Sequence, residues 1–282
     1  LEFRRVLFRS EVHLNPFSEY TNSPYRVMSM LCGTPGAMLA MPFLYIACTL
    51  RFYERHRTLA LASMMWCFVL AVLSASRGVW LGLLGGIGGL VWFLPLRRKI
   101  MLISTIIFIV LGASILLHSY YIERYDMRLL ERFKLTFDVR EGNVQWRFDA
   151  WRQMLEDIRE HPFIGWPFGS EPRFYVQSRG YYEEVAPHNE YLKIARYMGV
   201  FGLLAFLWFM VSIFLTGWRF LQRTPGTREY YEMAGLLLCF IFHAITSMFT
   251  QEYTTLDISA IVWAIPGMIV LYDVWDYETP AL

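Results

Sequence analysis

The chain has 282 residues, 56% hydrophobic and 17% aromatic, with a formal net charge of +2 and a mean hydropathy of +0.34. Apolarity at this level, gathered into long blocks, excludes an ordinary soluble domain and predicts an all-α polytopic membrane protein. The positive charge disappears once the Arg-rich first ten residues are set aside with Glu2, Arg4, Arg5 and Arg9, so nucleic acid is not an expected partner.

Those ten residues resemble a translated sequencing adapter and are left out of the fold reasoning. With no initiator Met, the chain is expected to be the C-terminal portion of a longer protein. A helix crossing a bilayer needs about 20 mostly apolar residues. The first such run, 27–50, is broken by Pro35, Gly36 and Pro42, so its helix is expected from about Gly36. The runs 58–76, 78–96 and 100–117 follow, the third run of the chain carrying Gly82, Gly85, Gly86, Gly88 and Gly89 for close helix packing. A polar stretch over 118–191 separates them from the runs 197–218, 233–250 and 254–272. The expectation is about seven transmembrane helices: four within 11–117, one large, partly helical loop over 118–191, and three within 192–282 before a short cytoplasmic tail.

Charge sets the orientation. Arg51, Arg55, Arg57, Arg97, Arg98, Lys99, Arg219, Arg223 and Arg228 fall in alternate short connections, whereas the opposite side has only Arg77. The positive-inside rule therefore puts the large loop outside the cytoplasm. Within the loop, helices are expected over about 122–133 and 144–160, the second with Asn143 as N-cap and ended by His161-Pro162. The Gly-, Pro- and aromatic-rich stretch 167–182 is expected to be irregular and to lie on the membrane interface. Cys32, Cys48, Cys67 and Cys239 all lie in apolar runs without C-x-x-C spacing and read as small buried hydrophobes.

Few residues offer chemistry. Arg77, in Ser74-Ala-Ser-Arg-Gly78, is either a snorkelling interfacial charge or a fixed cation for a phosphate at the outer mouth of the bundle. Arg147 shares a helical face with Trp151 and is either stacked or phosphate-binding. Arg152 has Asp149 and Glu156 near it for surface ion pairs. Arginine suits a diphosphate because its planar fork holds two oxygens and stays charged. His188, in Pro187-His-Asn-Glu190 just before an apolar run, is the sharpest candidate for chemistry against a structural reading; a metal set with Glu183 and Glu184 lacks a second His at ligand spacing. His13, His56, His118, His161 and His243 are weaker candidates, the last a packed polar residue or a relay inside a run. No Gly-rich phosphate loop, H-E-x-x-H, G-x-S-x-G or Asp-x-Asp site occurs, so a cytosolic nucleotide-using enzyme, a metal and a cofactor are not expected.

Taken in order, these motifs resemble the bacterial O-antigen ligase and polymerase family. The matching segments are Ser-x-Ser-Arg-Gly at 74–78, Arg147-x-x-x-Trp151 with His161-Pro-x-x-Gly165, and His188-Asn-x-Tyr-Leu192 with Gly199-x-x-Gly202-Leu-Leu. Pro24-Tyr-Arg26 followed by Thr34-Pro35 is similar to an earlier family segment, with Thr34 where Asn is common. The resemblance covers about 24–275. It implies an inverting, metal-independent membrane glycosyltransferase in the bacterial inner membrane, its site facing the periplasm. The donor would be a glycan on a polyprenyl diphosphate, and the acceptor a hydroxyl of lipid A–core, of another glycan or of a protein. It casts His188 as the base, and Arg77, Arg147 and Arg152 as the diphosphate holders. Arg26, Trp151, Asn189 and Glu190 would support them. Ligase and polymerase use the same motifs. A transporter or flippase of lipid-linked glycans would share the basic outer cavity without needing the His, and a non-catalytic scaffold would need neither.

Overall fold

The computed structural model describes residues 34–73, 76–93, 142–176, 180–184, 188–250 and 256–278. The expected span over 100–117, the expected helix over 122–133 and Arg26 lie outside them. Seven α-helices and one hairpin are described: α1 Thr34–Thr49, α2 Arg57–Leu73, α3 Arg77–Phe93, α4 Gly142–Glu160, β1 Arg173–Val176, β2 Tyr181–Glu184, α5 Glu190–Arg223, α6 Arg228–Thr246 and α7 Leu256–Glu278. Helices thus stand where six of the seven runs were expected. By length and composition, α5 is the one helix among the described residues long and apolar enough to cross a membrane. The apolar stretches of α1, α2, α3 and α7 are shorter.

The bundle is built round α6, which packs against α1, α3, α5 and α7. Its Met233, Leu237, Leu238 and Phe242 are fully buried together with Leu44 of α1 and Leu90 of α3. The glycines of α3 form the seam. A Cβ at Gly82 would lie 2.7 Å from Phe242, one at Gly85 2.2 Å from Ile245 and one at Gly89 2.5 Å from Leu238. Small residues at this spacing let α3 and α6 approach closely enough for van der Waals attraction to hold them without a hydrophobic driving force. His243 is buried in this core with its Nε2 2.7 Å from the Met41 sulfur, which makes it a packed polar residue.

The polar part is a smaller layer of α4, the hairpin and the first turns of α5. Helix α4 begins at Gly142, so Asn143, expected just ahead of the helix, lies inside its first turn. The stretch 167–182, expected to be irregular, holds β1 and the start of β2, an antiparallel pair with Arg173 opposite Glu184 and Val176 opposite Tyr181. Alternation explains it: Phe174 and Val176 point inward, and Arg173 and Tyr175 outward. The inward pair joins Trp146 and Ala150 of α4 in a satellite core, with the Trp146 and Phe174 rings edge to face at 5.5 Å.

Candidate functional site

Helix α5 is not continuous. At Gly199 the backbone takes φ 65° and ψ −173°, a conformation almost confined to glycine. The break frees two backbone groups that an unbroken helix would pair with each other, the carbonyl of Arg196 and the N–H of Val200. The loop after α4 takes up both. Trp166 N–H donates to the Arg196 carbonyl at 2.7 Å, and Val200 N–H donates to the Pro162 carbonyl at 2.7 Å. Gly165, also at positive φ, rests so close to α5 that a Cβ would meet the Arg196 carbonyl oxygen at 2.5 Å. The motif His161-Pro-x-x-Gly165 is therefore a docking loop seated in the kink. The His161 ring packs edge to face on Trp166 at 4.8 Å and takes an architectural role.

A buried ion pair fastens the same junction. Arg196 Nε lies 2.5 Å from Asp157 Oδ2, with both side chains almost wholly enclosed. Arg196 also donates to the Ser170 carbonyl, Trp166 Nε1 donates to the Asp157 carbonyl at 2.9 Å, and Tyr197 Oη donates to the Ser170 carbonyl at 3.0 Å. Removing one partner of such a pair would leave a buried charge uncompensated, at a cost of about 3–5 kcal/mol. Neither residue stood out in the sequence. The only signal was Arg196 one turn before Gly199, on the polar side of an apolar run.

Ahead of the kink lies the start of α5. Asn189 caps it, its side chain accepting from Leu192 N–H at 3.0 Å. Glu190 is fully buried in the first turn, and its N–H donates to the Ser247 carbonyl at 2.9 Å. Tyr191 Oη donates to the Ala244 carbonyl at 2.7 Å. His188 precedes the cap at φ 50°, the one non-glycine residue at positive φ among the described residues. Such a backbone costs about 1–3 kcal/mol and persists where surrounding contacts over-determine it. The residue is exposed to solvent, and its imidazole lies 5.6 Å from the Trp146 ring. Loss of water among these groups, and then the positive charge of Arg147, lower its pKa below the usual histidine value of 6.5. A neutral imidazole at pH 7 is a competent proton acceptor.

Arg147 comes to His188 from α4 and donates through Nη1 to the Phe249 carbonyl at 3.3 Å. Trp151, one turn on, packs its ring 6.5 Å from that of Phe249. The first turn of α3 reaches the same residue, since a Cβ on Gly78 would lie 3.0 Å from Phe249 Cβ. The elements bearing Arg77, Arg147 and His188 thus meet at the C-terminal end of α6. Arg152 is not part of this meeting. It is exposed and lies five residues from Arg147, about 140° round the helix. Among the described residues no three His, Cys, Asp or Glu side chains gather in a metal-holding group.

A family model described as O-antigen ligase matches residues 62–207, from within α2 through α3, α4, the hairpin and His188 to the middle of α5. No curated protein matches the chain.

Proposed function

We propose, from the premise that the chain belongs to the O-antigen ligase family, that it transfers a glycan from a polyprenyl diphosphate to an acceptor hydroxyl on the outer face of the bacterial inner membrane. The observation that carries this is the convergence of His188, of lowered pKa and strained backbone, with Arg147 and the α3 start at Arg77. In this mechanism the acceptor oxygen attacks the anomeric carbon as its proton passes to a ring nitrogen of His188. The bond from that carbon to the diphosphate oxygen breaks, the electron pair leaves with the diphosphate, and the anomeric configuration inverts. Arg77 and Arg147 offset the charge that grows on the leaving group. That group is already activated, so the proposed reaction needs no nucleotide, metal or cofactor. Arg152 would serve the approach of the anionic donor from the rim.

About seven spans, with the α4–hairpin layer on the periplasmic side, fit this chemistry, because donor and acceptor would then meet outside the cytoplasm. Deleting the gene and analysing surface glycans and lipid-linked intermediates tests the proposal. Loss of glycan-capped lipid A–core, or truncation of the polymer to a single repeat, is expected, and either indicates which acceptor is used. Unchanged lipid-linked and surface glycans would contradict it.

A further inference from the structure

The loop seated in the α5 kink has a second face. Toward α5 its backbone is fixed by the hydrogen bonds of Trp166 and Val200 and by the close approach of Gly165. Away from the joint it presents Phe163, Ile164 and Phe168, which are 61%, 88% and 78% exposed. Large apolar side chains held outward by a fixed backbone are unfavourable in water, and a cluster of them marks a surface that something apolar covers. The cluster also joins a longer surface. The Phe163 ring stacks on Phe201 of α5 at 5.7 Å, and Phe168 stacks on Tyr197 at 5.5 Å. From Phe201 the exposed apolar side chains continue along α5 through Leu204 and Trp208. The loop therefore extends the outward face of the one helix among the described residues that is long and apolar enough to cross a membrane.

The length of α5 gives the depth. Arg219 is the first charged residue after the kink, and it is exposed near the far end of the helix. A hydrocarbon core about 30 Å thick takes about 20 helical residues. Counted back from Arg219, that length ends at Gly199. Phe163 and Ile164 lie at this level, since a Cβ on Gly199 would stand 2.1 Å from the Phe163 carbonyl oxygen and 2.9 Å from the Ile164 nitrogen.

We infer that the loop around Ile164 is inserted in the membrane, its Phe163, Ile164 and Phe168 side chains entering the leaflet on the side of the candidate site, just beneath the lipid headgroups. Apolar side chains of interfacial elements settle about 5–10 Å into this zone. Because the loop follows directly on α4 and locks into α5, its insertion would hold the α4–hairpin layer against the bilayer surface. This contact with lipid is independent of the reaction proposed above.

Photo-crosslinking of the full-length protein in its own membrane tests it. A diazirine analogue of leucine is placed at Ile164, and after illumination the product on the loop peptide is identified by mass. A phospholipid adduct is expected there, with a lipid-to-water product ratio exceeding that at the exposed Glu156 of α4 by about tenfold or more, the preference that burial of one such side chain confers. The same analogue at Phe168 carries the test if the Ile164 variant does not fold. A ratio equal to that at Glu156 would overturn the inference by placing the loop in water. Adducts with another segment of this chain, with a second copy or with another protein would overturn it by showing that protein covers the loop.

Discussion

His188 is held in a left-handed backbone just before the Asn189 cap, with its ring beside that of Trp146 and within reach of the charge of Arg147. Partial loss of water contact and then the arginine disfavour the imidazolium, so the neutral base persists to lower pH than in an ordinary histidine. The transfer rate should be full above this lowered pKa and fall as pH drops through it, which places the acid limb of kcat/KM below pH 6.5. Arg147→Gln removes the repulsion while leaving the burial, so the limb should move to higher pH. A limb that stays in place in Arg147→Gln would show that the two groups do not interact. At this scale the sequence was legible for residue type and order, since His188, Arg147, Arg77 and Trp151 all stood out by their placement between apolar runs. The Phe249 carbonyl that accepts from Arg147 did not, because a backbone acceptor leaves no pattern in the sequence.

The elements are joined by the interlock of the 161–166 loop with the α5 kink. His161-Pro-x-x-Gly165 and Gly199 read in the sequence as separate motifs; folded, they are two halves of one joint, each glycine making room for the other's backbone. A Cβ at Gly199 would stand 2.1 Å from the Phe163 carbonyl oxygen and would also occupy a backbone region closed to other residues. Gly199→Ala should therefore destabilise the protein by at least about 2 kcal/mol, seen as a lowered thermal midpoint in detergent. Gly88→Ala is the control, because nothing lies within 4 Å of its added carbon. Equal midpoints for the two variants would contradict the interlock. The β1–β2 hairpin was hidden from the sequence by its shortness and its Gly- and aromatic-rich surroundings. The alternation of Phe174 and Val176 was the one signal present.

Across the described residues, six apolar runs foretold where helices lie, because each buries a face against its neighbours, four of them directly against α6. The exposed Phe201, Leu204, Leu207, Trp208, Val211 and Leu215 of α5 have the character of a lipid-facing surface. The expected side of the membrane rests on Lys and Arg alone, and it can be measured. Single cysteines at Ser170 and Thr224, the first in the loop layer and the second capping the far end of α5, should differ in reaction with an impermeant thiol reagent on intact spheroplasts. Labelling at Ser170 and not at Thr224 is expected. The reverse pattern would put the candidate site in the cytoplasm, where a periplasmic acceptor cannot reach it.

The division of labour between His188 and the arginines is tested most directly by His188→Gln in purified full-length protein, with donor binding and glycan transfer measured on the same preparation. Glutamine keeps hydrogen bonding but cannot take a proton at neutral pH. Donor binding should stay near wild type, since no diphosphate contact is lost, while transfer falls by about 10²–10⁴-fold, the usual contribution of general acid–base catalysis. Transfer at a near wild-type rate would contradict the assignment and make His188 a structural residue of the α5 start.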